Sequence, residues 1–193
     1  MKKKVTVFLD MDGVLVDWLN GIRQYLKKPP EFYDCFRQDP SSLSFKAVDD
    51  LYGGREILKK EVEARPVQFW FDLEIFPWTD YLVKELSNEF KLAFLTKPGK
   101  YPNAAAAKLL WQLKHYPDVP LVMASDKYLV ASETKVLIDD DDWQLTRFDL
   151  AGGLAVKWPS QFELEKQNLN LYVKPYIQSI IKLIKEYEIK LNN

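Results

Sequence analysis

The sequence predicts an α/β fold, a Rossmann-like parallel sheet with helices on both sides and a small helical cap inserted after the first strand. Three observations point there. Short apolar runs alternate with segments of helical periodicity. Several of those runs end directly in polar residues suited to chemistry. The regular alternation is interrupted once, over residues 17–75, by a stretch rich in prolines, glycines and short helical pieces.

Val5-Thr6-Val7-Phe8-Leu9 is β-rich and apolar, and Asp10-Met11-Asp12-Gly13 follows it at once, so both carboxylates leave the carboxyl end of a buried strand. A helix is predicted from near Val16, with Trp18, Leu19, Ile22 and Leu26 at helical spacing and Pro29-Pro30 as its stop. Between there and Pro66, helical pieces at 47–52 and 55–64 alternate with Pro40, Ser41, Ser42 and Gly53-Gly54. This segment reads as the cap. The core is expected in residues 1–16 and 76–193.

Regularity returns with an amphipathic helix over 80–88 and a strand from Lys91 to Leu95 ending at Thr96. A helix over 104–115, a strand over 121–124 and the run Val136-Leu137-Ile138 follow, the last stopped by Asp139-Asp140. Ala155-Val156 reads as a last short strand. From near Val173 a helix begins with Ile177, Ile180, Ile181, Ile184 and Tyr187 on one face.

Composition narrows the function classes. The 193 residues are 47% hydrophobic and 28% charged, enough apolar material for a core in an ordinary globular chain. A formal net charge of -1 supplies no basic surplus for gripping a polynucleotide. Cys35 is the single cysteine, so no disulfide forms within one chain, which suits a cytoplasmic location. The apolar run after the basic Met1–Lys4 is too short for a signal or a membrane span.

In a parallel sheet the strand carboxyl ends share one edge, where such folds bind ligands. Asp10 with Asp12, Thr96, Lys127 and Asp139 with Asp140 all fall on that edge. Clustered carboxylates repel one another, and a hard divalent cation is the compensation; magnesium suits carboxylates, water and phosphate oxygens together. One carboxylate is then placed to attack phosphorus. A threonine hydroxyl and a lysine are suited to holding the phosphoryl oxygens. The plainer readings are a strand-ending turn at Asp10–Gly13, a solvated acidic loop at Asp141 and Asp142, and solvent-facing Lys97 and Lys100. Trp70 and Phe71 serve either as cap core or as stacking surfaces. His115 and Trp111 read as structural.

Asp10-Met11-Asp12-Gly13-Val14-Leu15 resembles the first motif of the haloacid dehalogenase superfamily, Phe94-Leu95-Thr96 the second, Lys127 the third and Leu137-Ile138-Asp139-Asp140 the fourth. The four stand in the family's order over residues 5–140. The resemblance implies a phosphatase fold in which Asp10 is the nucleophile and Asp12 the general acid and base. It also implies magnesium held by Asp10, Asp12, Asp139 and Asp140, with Thr96 and Lys127 on the phosphoryl group. Within the superfamily the chain looks most like the 5'(3')-deoxyribonucleotidases, which carry a cap between the first two motifs. Phe69-Trp70-Phe71-Asp72-Leu73-Glu74 resembles the end of that cap. Trp18, Trp70 and Phe71 are then expected to contact the base of a nucleoside monophosphate. Two departures stand out: Lys97 follows Thr96 where those enzymes read serine, a phosphate-binding position, and Asp140-Asp141-Asp142 replaces their usual ending. The rival readings are a phosphatase or phosphomutase for a sugar phosphate or other small metabolite, and a non-catalytic binding module. A membrane or nucleic-acid polymer is not expected as a partner, and a homodimer is left open.

Overall fold

A computed structural model describes residues 2–25, 27, 64–99, 102–165 and 169–193. The helical pieces expected over 47–52 and 55–64 lie outside the described residues but for Ala64, which is in a turn, and Leu26, the Pro29-Pro30 stop, Cys35 and Lys100 lie outside them as well.

The described elements run β1 (Thr6–Leu9), α1 (Trp18–Tyr25), α2 (Val67–Phe71), α3 (Thr79–Glu89), β2 (Lys91–Thr96), α4 (Pro102–His115) and β3 (Leu121–Met123). A 3₁₀ turn (Lys127–Val130), β4 (Lys135–Asp139), α5 (Asp142–Leu150), β5 (Leu154–Lys157), α6 (Gln161–Glu165) and α7 (Leu169–Lys190) complete the chain. The five strands form one parallel sheet in the order β3-β2-β1-β4-β5. Three details differ from the sequence expectation. The last helix begins at Leu169 rather than near Val173, and the first at Trp18 rather than Val16. Asp139 is the final residue of β4 rather than the first beyond it, because Trp158 N still donates to its carbonyl at 2.8 Å and extends the ladder.

Side chains alternate across each strand. Val5, Val7, Leu9, Leu92, Phe94, Val136 and Ile138 enter one core cluster, and Phe8, Ala93, Leu95 and Leu137 the other. The larger cluster takes Val173, Ile177, Ile180, Ile181 and Ile184 from one face of α7, together with Leu82, Leu86, Ala104, Ala107 and Trp111 from α3 and α4. Phe148 and Leu145 of α5 close the smaller one. Burying both faces explains why the strands read as continuous apolar runs rather than as alternating ones.

The chain leaves β1 through a tight loop. Val14, Leu15 and Val16 all donate backbone N–H groups to the Met11 carbonyl, at 2.8–3.3 Å. The return segment is tied to the same loop. Asp17 N donates to Glu74 O at 2.8 Å, Phe76 N to Leu15 O at 3.0 Å, Trp78 Nε1 to Val14 O at 2.8 Å and Thr79 Oγ1 to Leu15 O at 2.8 Å. These bonds fix the acidic loop against the start of α3.

Gly13 is required there on two counts. Its φ is +83°, and a Cβ at this position would lie 2.3 Å from Asp140 Oδ2. Gly13→Ala is therefore expected to force the Asp140 carboxylate away and to strain the backbone by about 1 kcal/mol. The melting temperature should fall by roughly 2–4 °C per kcal/mol lost, and an unchanged Tm would contradict the strain assigned to this close approach.

Candidate active site

The sheet register builds the centre of the site. Leu9 lies opposite Phe94 on one side and Ile138 on the other, so Asp10 emerges beside Asp139, with its N–H donating to Ile138 O at 3.0 Å. Strand order reverses about β1, since β2 lies on one side and β4 on the other, and ligands bind at such switch points.

Lys127 is only 2% exposed and sits between two of the carboxylates, 2.5 Å from Asp10 Oδ1 and 2.7 Å from Asp139 Oδ2. The turn that opens with it directs the ammonium inward. Burial acts against its charge, but Asp10 and Asp139 outweigh that and push its pKa up. Asp139, fully buried, also accepts from Asp141 N at 2.9 Å through its other oxygen. Oxygens of Asp10, Asp139 and Asp140 all lie within 4.8 Å of one another.

Electrostatically this cluster is short of positive charge. Burial, then repulsion from Asp139 and Asp12 acting against Lys127, raises the Asp10 carboxyl from 3.8 to about 7. Burial and the neighbouring Asp139 and Asp10 raise Asp140 as well. Three hard oxygen donors of this kind suit a divalent cation such as magnesium. Such a cation would offset the mutual repulsion that raises Asp10 and Asp140.

Asp12 is held differently. Its Oδ2 pairs at 2.6 Å with Lys108, a residue of α4 that is 5% exposed. The same ammonium donates to Thr96 Oγ1 at 2.8 Å and to the Lys97 carbonyl at 2.8 Å. Thr96 is fully buried at the end of β2. Its hydroxyl accepts from Lys108, which leaves its own proton to donate into the site. Lys108 thus ties the second strand end to the second carboxylate, a role the sequence reading did not assign. The sequence signal was a lone lysine following four alanines, which reads equally well as a solvent-facing position.

The remaining sequence candidates fall around this centre. The Lys97 ammonium is half-exposed, 3.9 Å from Asp141 and 5.2 Å from the centre of the Trp143 ring. Trp18 is partly buried against the main core, and Trp70 is buried, with Phe69 set edge-on at 5.2 Å. Phe71 is half-buried with Lys114 over its ring at 4.7 Å. Asp142 is exposed and paired with Lys157 at 2.7 Å. His115 packs on Trp111 at 5.0 Å.

No protein-family model and no curated protein matches the sequence. Solved structures do match the fold. A dehalogenase aligns with a TM-score of 0.50 at 15% identity, covering 85% of this chain and 91% of that one. YfnB of Bacillus subtilis, described as a HAD-hydrolase bound to magnesium, aligns with a TM-score of 0.50 at 13% identity over 80% of this chain and 86% of its own. A haloacid dehalogenase-like hydrolase from Streptococcus pneumoniae gives 0.49 at 16% identity, covering 86% and 91%. The two likenesses at a TM-score of 0.50 show the fold alone: a parallel sheet with flanking helices, like that of the dehalogenase and of YfnB.

Proposed function

We propose that this chain is a magnesium-dependent phosphomonoester hydrolase of the haloacid dehalogenase superfamily, working through a phospho-aspartate on Asp10. The observation that carries the reading is the convergence of Asp10, Asp139 and Asp140 within 4.8 Å, with Lys127 buried among them. The four sequence motifs are supported by their meeting at one sheet edge, and the magnesium described for YfnB agrees with the cation inferred here.

In this reading Asp10 attacks phosphorus in line with the departing ester oxygen. Lys127 and the Thr96 hydroxyl hold the phosphoryl oxygens as charge shifts among them. Asp12 gives a proton to the departing oxygen, then takes one from the water that releases phosphate. Lys108, 2.6 Å away, stabilises the carboxylate that remains after the first transfer. Asp10, Asp139, Asp140 and the Asp12 backbone carbonyl are the groups that would hold the cation, which neutralises phosphoryl charge when bound.

For the substrate we propose a nucleoside monophosphate, as in the 5'(3')-deoxyribonucleotidases. Trp18, the first residue of α1 and two positions past Val16 in the loop that carries Asp12, is the proposed base contact. The location that suits this chemistry is the cytoplasm; among the described residues no helix is long and apolar enough to cross a membrane.

A phosphate-release panel with and without magnesium, covering nucleotides, sugar phosphates and p-nitrophenyl phosphate, tests both levels. Trp18→Ala should raise KM for nucleotides about ten- to hundredfold, since stacking on a base contributes roughly 1–3 kcal/mol. Substrates without a base should be little affected. A uniform loss, with a lowered Tm, would assign Trp18 to packing and move the preference to a small-metabolite phosphatase.

A further inference from the structure

Lys127 opens a 3₁₀ turn that makes no side-chain cap of its own. Asp126, just before it, has extended backbone and is a residue type that ordinarily turns its carboxylate back onto the first N–H groups of a helix. It does not do so here. Its carboxylate instead accepts from Arg147 Nη1 at 2.8 Å. The same guanidinium lies over the Tyr128 ring at 4.0 Å and over the Trp143 ring at 4.4 Å. Arg147 therefore grips the residues on both sides of Lys127. The ion pair is partly exposed, and the two rings add to what it alone would hold.

The origin of α5 gives that grip its consequence. Asp141 N donates to Asp139 Oδ1 at 2.9 Å, and Asp141 in turn caps α5 by accepting from Trp143 N at 2.9 Å. Arg147 stands one turn beyond Trp143 on the same helix. The helix that leaves the carboxylate cluster thus reaches across to the turn that supplies its counter-charge. Backbone bonds from Leu129 N to Asp126 O and from Ala131 N to Tyr128 O shape that turn without tying it to β4. Val130 packs on the smaller core cluster and holds the far end. The near end carries the ammonium, and Arg147 holds it.

We infer that Arg147 is a positioning residue for Lys127, fixing its ammonium between Asp10 and Asp139 through Asp126 and Tyr128. The effect on turnover rests on the phosphomonoesterase reading; the hold on Lys127 does not. Arginine suits the task because a guanidinium presents a flat face to aromatic rings and N–H edges to a carboxylate at the same time. Arg147 touches neither the reacting carboxylate nor the cation ligands, so its contribution is geometric. A group displaced by about 1 Å from its productive place can cost about a hundredfold in rate.

Arg147→Met keeps the aliphatic length and removes the planar cation. In the full-length protein with magnesium, kcat and kcat/KM for p-nitrophenyl phosphate should fall together, by about ten- to hundredfold. Asp126→Asn weakens the same contact from the other side and should lower both in the same direction. The double variant should be no slower than Arg147→Met alone, because both changes act through one contact. The position of Lys127 is read directly from the ¹H–¹⁵N resonance of its buried ammonium in lysine-labelled protein. Exchange of those protons with water should quicken about tenfold in Arg147→Met as the turn opens more often. A lowered Tm with kcat unchanged in the folded protein would make Arg147 merely structural and overturn the inference. Additive losses in the double variant, or an ammonium exchange rate that does not move, would overturn it too. Should Arg147→Met not fold, Asp126→Asn carries the same measurements. If the wild-type protein with magnesium hydrolyses no phosphomonoester, the phosphatase reading fails, and the ammonium exchange still decides whether Arg147 holds Lys127.

Discussion

Asp10→Asn should abolish phosphate release, with kcat falling on the order of 10⁶-fold, the scale of losing a covalent nucleophile. A carboxamide is a poor nucleophile and forms no acyl phosphate. The change is nearly isosteric, and it removes one of the carboxylates that repel Asp139 and Asp140, so the fold should persist. Asp12→Asn should differ in kind. It removes the proton donor and acceptor and costs about 10²–10⁴-fold. With p-nitrophenyl phosphate, whose leaving group needs little protonation, the first step survives and the second slows. Phosphorylated Asp10 should then accumulate and be visible by mass spectrometry of the rapidly quenched protein. If Asp10→Asn retains more than a hundredth of wild-type activity, the covalent route is wrong.

The second large effect concerns the cation and its link to pH. A carboxyl raised in the folded state from 3.8 to about 7 binds its proton more tightly folded than unfolded. The stability it contributes is complete below about 4 and is lost as pH rises through about 7. Asp140, raised in the same direction, adds to the loss. In the presence of a chelator, the Tm of the wild-type protein relative to Asp10→Asn should fall between pH 5 and pH 8. Magnesium should reverse this. At a hundred times its Kd a ligand adds about 2.7 kcal/mol, or roughly 5–10 °C for a domain of this size. The gain should be larger at pH 8 than at pH 5, where protons compete for the same oxygens. Activity should vanish with the chelator and return with magnesium. Asp139→Ala should weaken magnesium affinity far more than Asp142→Ala, because Asp139 is fully buried among the carboxylates whereas Asp142 is exposed. Equal effects would remove Asp139 as a ligand, and a magnesium gain independent of pH would remove the link to Asp10 and Asp140.

The sequence by itself determined the parallel sheet and the residues at its carboxyl edge. Val5–Leu9, Lys91–Leu95 and Val136–Ile138 could be read as strands because backbone pairing and two-sided burial demand continuous apolar runs. Once they are parallel, Asp10, Thr96 and Asp139 must meet, since each is placed by the length of its own strand. Gly13 was legible as part of the Asp-x-Asp-Gly spelling, though its need for a bare Cα beside Asp140 was not. Only the tertiary structure decided where side chains outside the strands point. Lys108 lies on an alanine-rich helix whose inner face depends on how α4 packs against the sheet, so nothing local marks it as the partner of Asp12. Lys97 follows Thr96 directly, yet its side chain goes to Asp141 and Trp143, because the chain turns at the strand end. Trp70 and Trp111 stand 41 positions apart in the sequence. The two residues come to line one small cavity only because α2 and α4 pack together. Strand ends are positioned by local hydrogen bonding and are visible in one dimension, whereas directions set by packing between distant segments are not.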